Sequence, residues 1–221
     1  MGQRQMSTTY RLFAWPLALL ALLAICKHLI PLAPRGLEIG FLLVMAYQLY
    51  VPLWWIRYNR LEPADFGINI HGRQDLRRTA LAIVIIFPIY ALLYFGMQWY
   101  LAWRNSFVIH IHPDLQIGLA WMFFTELALV AIPEEVFYRG FLQTRLLRMW
   151  PFWKAALVAN LFFALAHFVG DYNIARLLPF FPGLVFSYLA YRSGSVMGAS
   201  IFHALCNCFS QVLYKSVIWA K

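Results

Sequence analysis

"ALAIVIIFPIYALLYFGMQWY", Ala80–Tyr100, runs for 21 residues without an Asp, Glu, Lys, Arg or His. Wound as an α-helix at 1.5 Å per residue, it is about 30 Å long, the thickness of a bilayer's hydrocarbon core. Six further apolar runs flank it, approximately Leu12–Cys26, Ile39–Ile56, Ile117–Val136, Phe152–Val169, Leu177–Tyr191 and Val196–Ile218. Of the 221 residues, 62% are apolar and 12% charged, against roughly 45–50% and about 25% in soluble domains. The sequence therefore predicts an all-α polytopic membrane bundle of about seven transmembrane helices, one integral membrane domain over 1–221. The longest interval between runs, Arg57–Arg78, is too short for a soluble domain. No internal repeat or low-complexity linker interrupts the pattern.

The first run follows Arg4 and Arg11 and has the outline of a signal peptide. With six runs behind it, a signal anchor is the expected reading. Ile25 is too bulky to precede a lipoprotein cysteine at Cys26, and Met6 stands where myristoylation needs Ser or Thr. Cys26, Cys206 and Cys208 form no CxxC pair and read as small buried apolar residues.

Loop charges set the expected orientation. With alternating sides for seven spans and Arg139 set apart, one side carries Arg4, Arg11, Arg57, Arg60, Arg73, Arg77, Arg78, Arg145, Arg148, Lys154 and Arg192. The other carries Lys27, Arg35, Arg104, Arg176, Lys215 and Lys221. The richer side is expected to be cytoplasmic, placing the N-terminus inside and the protein in the cell (plasma or inner) membrane. Eighteen basic residues against nine acidic ones, a formal net charge of +9, fit this rule and an anionic lipid surface. Scattered over short loops, they give no reason to expect nucleic acid.

Against this background "AIPEEVFYRGFLQTRL", Ala131–Leu146, is anomalous. A charge at the centre of a bilayer costs roughly 2.5–3.5 kcal/mol on the mildest scale. On a helix Glu135 and Arg139, four apart, share a face and can pair, while Glu134 points about 100° away. Pairing Glu135 with Arg139 leaves Glu134 free to face something else. Pro133, which lacks an N–H, is expected to disturb the helix one turn back. Taken alone, the segment reads equally well as a helix end with its charges in interfacial water. Two later runs add polar groups with no evident surface to explain them: Phe163 and His167 in "FFALAHF", and His203 and Asn207, four apart, in "IFHALCN".

Depth brings Glu134 and His167 together. "MWPFW" reads as the turn between the fourth and fifth helices, with Glu134 sixteen residues before Trp150 and His167 sixteen after Pro151. In an antiparallel pair both then lie about 24 Å from the turn. That is a long arm to the cytoplasmic edge, relieved by helix tilt or by a water-filled cavity open to the cytoplasm.

The three motifs "EEVFYRGFL", "FFALAH" and "SGSVMGASIFHALCN", in this order, resemble the CPBP family of CAAX prenyl proteases of the Ras-converting type and bacterial Abi proteins. The family pattern is EExxxR, FxxxH, then HxxxN or HxxxD. Here it falls on Glu134–Arg139, Phe163–His167 and His203–Asn207, within a CPBP-like catalytic core over 115–217. "PADFGI", Pro63–Ile68, resembles a segment common upstream in the family.

The resemblance implies an intramembrane endopeptidase acting on a membrane-tethered protein or peptide, within the lipid bilayer and without nucleic acid. C-terminal processing or sorting of the substrate is one form of this. Glu134 would be the general base, His167 would help position the same water, and His203 and Asn207 would be the oxyanion donors. Glu135 and Arg139 would be the supporting pair, and Phe163 would pack. No cofactor is expected from a glutamate mechanism. Members of the family have also been described as metalloproteases, for which Glu134, His167 and His203 are the alternative zinc ligands. Against zinc, HExxH is absent and an amide is a poor fourth ligand. The alternative function is a non-proteolytic immunity or scaffold protein of the same fold. A transporter would call for inverted repeats, which are not found. His110 and His112 in "VIHIHP" read as a solvated external loop rather than a metal site. Glu126, about 80° around the helix from Glu134, could line the same cavity, but it stands outside the family pattern and is left outside the expected site. Pro179, Pro182 and Gly183 are expected to kink or shorten the sixth helix.

Overall fold

The structure, a computed structural model, describes residues 2–29, 36–69, 73–106, 108–111 and 118–220. Arg35, His112, Ile117 and Lys221 lie outside the described residues. Seven long helical segments are present among the described residues, one for each apolar run. These are α1 (Gly2–Leu29), α2 (Gly36–Tyr58), α3 (Arg73–Asn105), α4 (119–147), α5 (Phe152–Asp171), α6 (Phe180–Ser193) and α7 (Met197–Lys215). The polytopic all-α bundle expected from the sequence is the observed fold. Among the described residues four helical stretches are long and apolar enough to cross a membrane, Glu38–Tyr58, Asp75–Asn105, Phe152–Asp171 and Ile174–Ser193, and Leu12–His28 is a shorter apolar helix.

The helices overrun the apolar runs because flanking polar residues still extend a helix. α3 reaches from Arg73 to Asn105, 33 residues, so the interval assigned as loop from Arg57 to Arg78 is much shorter than expected. α6 is the reverse case. It begins after Pro179 and has 14 residues. Pro182 sits in its first turn, where a missing N–H costs little.

The expectation that the last helix runs to Ile218 is corrected. α7 stops at Lys215, and β2 (Val217–Ala220) pairs antiparallel with β1 (Val108–Ile111). Val217 and Ile218 are β-branched, and a two-stranded ribbon satisfies their backbone where helix packing has ended. His110, expected in a loop, is exposed on β1 opposite Ile218.

α4 is the central helix, with α2, α5, α6 and α7 all packed on it, while α3 packs chiefly against α6, α7 and the β1 strand at its end. Every residue from 133 to 143 is consequently buried. A short 3₁₀ turn, Pro63–Phe66, locks α4 to the bundle. Phe66 is fully buried with Ile56 and Phe141, and Gly67 adopts a left-handed φ of 70°. Its carbonyl accepts from the Val196 N–H at 2.9 Å, joining the α2–α3 loop to the α6–α7 turn. Gly140 makes this contact possible, since a Cβ there would stand 2.8 Å from the Phe66 carbonyl oxygen. "PADFGI" and "YRG", far apart in sequence, are thus one packing unit.

Candidate active site

Pro133 does not simply kink α4. Two π-helical stretches, Glu126–Ala131 and Val136–Gln143, flank the α-helical turn Ile132–Glu135. Proline has no N–H to give to the carbonyl four residues back and its ring crowds that carbonyl, so a wider turn ahead of it relieves both. The widened turn is visible in the Ile132 N–H, which bonds the Leu127 carbonyl five residues back. One extra residue per turn shifts the side-chain phase by roughly 100°. That offsets most of the approximately 80° that separates Glu126 from Glu134 on an ideal α-helix.

The two neighbouring glutamates have different surroundings. Glu135 is fully buried, and its Oε2 lies 3.3 Å from Arg139 Nε, an ion pair rather than an aligned hydrogen bond. Its Oε1 accepts from His203 Nδ1 at 3.0 Å. Arg139, 1% exposed, donates from Nη2 to Asn160 Oδ1 at 3.0 Å and to the Gly183 carbonyl at 3.1 Å. Asn160 Nδ2 in turn donates to the Ala156 carbonyl and to Ser187 Oγ, both at 2.8 Å. Phe163, Phe186 and Tyr138 surround the guanidinium, with its carbon 4.6 Å from the Phe163 ring centroid. Gly183 is the residue that admits it, because a Cβ there would collide with Asn160 Oδ1.

Glu134 is 7% exposed, and its Oε2 has no hydrogen-bond partner among the described residues. His203 Nε2 is 3.7 Å away, beyond hydrogen-bond length. Glu134 and His167 line one cavity of about 310 Å³, together with Gln48 of α2 and residues at the ends of α1, α2 and α5. His167 Nδ1 donates to the Phe163 carbonyl at 2.9 Å, which leaves Nε2 as the acceptor of the neutral ring. Phe163 stands edge-on to His167 at 4.6 Å and to His203 at 5.8 Å. Its partner in holding His203 is Phe186, stacked on the imidazole at 4.6 Å and 16°.

The structure thus brings together Glu134, Glu135, Arg139 and His203, and puts His167 across the cavity from Glu134. Asn207 keeps different company. It shares the α7 face of His203, but its Nδ2 donates to Glu126 Oε2 at 2.9 Å, while Gln211 Nε2 donates to Glu126 Oε1 at 2.8 Å. The α4–α7 seam has two polar rungs, Glu134/Glu135 with His203 and Glu126 with Asn207 and Gln211. Glu126, left outside the expected site, is thus bonded to Asn207, one of the residues expected in it.

Sequence reasoning also passed over Gln48, Asn160 and Phe186. Gln48 and Asn160 carried a signal, as single amides in the apolar runs "MAYQLYV" and "LVANLFF". Phe186 carried none. Glu134, His167 and His203 do not converge as a metal-binding cluster: among the described residues no three His, Cys, Asp or Glu do so.

Fold and site define a class, a membrane-embedded helical bundle with carboxylates and imidazoles gathered around an internal cavity. Over residues 116–209 the chain matches the family model of the type II CAAX prenyl endopeptidases, Rce1-like. The resemblance carried by the three motifs is therefore borne out across that stretch, and the match supports a protease. No curated protein and no solved structure matches the chain.

Proposed function

We propose that the protein is an intramembrane endopeptidase in which Glu134 activates the hydrolytic water. The observation that carries this reading is that Glu134, whose Oε2 has no hydrogen-bond partner among the described residues, lines one cavity with His167, whose Nδ1 is committed to the Phe163 carbonyl. A water between them gives one hydrogen to each acceptor, which turns its lone pair toward a bound peptide carbonyl. As Glu134 takes one proton, the water oxygen bonds to the carbonyl carbon and the π electrons move onto the carbonyl oxygen. Collapse restores the C=O bond, breaks the C–N bond, and returns the proton from Glu134 to the leaving amine.

The oxyanion needs donors. Asn207 Nδ2 has a second hydrogen beyond the one given to Glu126. His203 fills the role when both ring nitrogens carry protons, since its Nδ1–H is committed to Glu135. Glu135 and Arg139 hold His203, and with it the geometry around Glu134. Substrates are membrane-tethered proteins or peptides, and the mechanism calls for no metal.

The test uses purified protein in liposomes with a pool of internally quenched hydrophobic peptides. Glu134→Gln keeps the volume and removes the base, so cleavage disappears while the melting temperature stays near wild type. Chelator dialysis leaves the wild-type rate unchanged. Near-normal turnover by Glu134→Gln contradicts the assignment. Activity lost to chelator and restored by zinc alone contradicts the metal-free mechanism.

A further inference from the structure

The lining of the Glu134 cavity reaches the end of the bundle opposite the Trp150–Pro151 turn. Three contacts establish which helix ends lie together. His28, near the end of α1, bonds Tyr172, just past the end of α5, at 3.3 Å. β1 and β2 pair beyond the ends of α3 and α7. The α2–α3 loop is bonded to the α6–α7 turn at the other end. The cavity is bordered by Lys27, two residues before the end of α1, by Gly40, four residues into α2, and by Gly170, one residue before the end of α5. His167 is four residues, about 6 Å, from that end of α5, and fifteen residues, about 22 Å, from the Phe152 end. The cavity does not open to the end that the loop charges mark as cytoplasmic, as one expectation from the sequence had it.

Toward the opposite end the described residues of α4 are packed. From Glu134 toward the Trp150 turn, α4 is buried through residue 143, and Arg139 with its ring of aromatics fills the space. A separate cavity of about 170 Å³ lies beneath the "PADFGI" turn at that end. It is lined by Arg139 and Gln143 but not by Glu134. That end carries Arg57, Arg60, Arg73, Arg77, Arg78, Arg145, Arg148, Lys154 and Arg192, the basic excess that marks a cytoplasmic face.

We infer that the substrate reaches Glu134 from the non-cytoplasmic face, between the ends of α1, α2 and α5. This inference rests on the protease reading and narrows its substrate class. The scissile bond belongs to a protein that has been exported or inserted, with the cleaved segment in the outer half of the bilayer. A lipidated C-terminus that stays in the cytoplasm does not reach this cavity.

Side-specific thiol labelling tests it without any substrate. Cys26, Cys206 and Cys208 are replaced by Ala, and single cysteines are introduced as Met45→Cys in the cavity, Gly170→Cys at its border and Lys154→Cys at the far end. Gly170 tolerates the change, since an added Cβ meets nothing within 4 Å. A second cavity reporter retains native Cys26 alone. A charged, membrane-impermeant thiosulfonate is applied to intact spheroplasts and, separately, to inverted vesicles. Met45→Cys, Gly170→Cys and Cys26 react in spheroplasts and lose that labelling in inverted vesicles, while Lys154→Cys does the reverse. Labelling of Met45→Cys or Cys26 only from the inner face, or from neither face, overturns the inference. Labelling is independent of catalysis. A protein that labels as expected but cleaves no peptide overturns the protease reading alone, and one that cleaves but labels from inside overturns the access route alone.

Discussion

α3 and α4 are both helices of a membrane bundle, and they solve opposite problems. α3 lies at the edge, with Leu92 74% and Trp99 74% exposed, and its central 21 residues carry no charge. α4 lies at the centre and holds Glu134, Glu135 and Arg139 within six residues, all buried. Burial alone does not separate the two helices, because lipid is as poor a solvent for charge as a protein core. What separates them is company. α4 touches four other helices, and those helices bring Asn160, Ser187, the Gly183 carbonyl and His203 to its charges. α3 packs chiefly on two helices along one side, and the face turned to lipid is lined by exposed apolar residues such as Leu92 and Trp99.

This contrast is most sharply broken at Arg139. Arg139→Ala leaves Glu135 buried without its counter-charge, and removing one partner of a buried pair costs roughly 3–5 kcal/mol. The expected outcome is a large fall in melting temperature with loss of cleavage. Leu92→Ala on α3 shifts stability by no more than about 0.5 kcal/mol, as for other exposed positions. Equal losses in the two variants would remove the distinction drawn between the helices.

Gly183→Ala tests the packing of the network rather than its charge. Its methyl group would press on Asn160 Oδ1 and lie 3.1 Å from Arg139 Nη2, an overpacking cost of roughly 1–3 kcal/mol. A variant that melts like wild type would show that Arg139 does not need this approach.

The smallest effect is expected at Glu126, which is partly exposed and holds its partners by hydrogen bonds alone. Glu126→Ala frees the amides of Asn207 and Gln211, costing about 1 kcal/mol in stability and slowing turnover rather than abolishing it. Glu126→Gln keeps one acceptor oxygen and recovers part of the rate. A Glu126→Ala enzyme with wild-type turnover would mean that the orientation of Asn207 does not depend on the second rung.

Most of the bundle was legible because the absence of charge over 15–21 residues has few other meanings in a chain of this composition. The Glu135–Arg139 pair was legible because it is local, set by helical spacing alone. The approach of Glu134 and His167 was legible because one tight turn joins their helices. What escaped depends on contacts between distant segments. The β1–β2 ribbon joins residues more than a hundred apart through backbone groups, and its apolar side chains read as helix. Glu126 escaped because the family pattern does not carry it, although its helical offset from Glu134 already allowed it to line the same cavity. Phe186, in an apolar run rich in aromatics, has nothing in its sequence to mark it as the ring stacked on His203.

The central claim is that two adjacent glutamates divide the work, Glu135 holding the network together and Glu134 facing the cavity. Melting curves of wild type, Glu134→Ala and Glu135→Ala in one detergent test it most directly. Glu135→Ala strips Arg139 of its counter-charge and His203 of its acceptor, so it melts well below wild type. Glu134→Ala removes a buried carboxylate with no hydrogen-bonded Oε2 and melts at or above wild type. The opposite order, with Glu134→Ala the least stable and Glu135→Ala indistinguishable from wild type, would contradict the account.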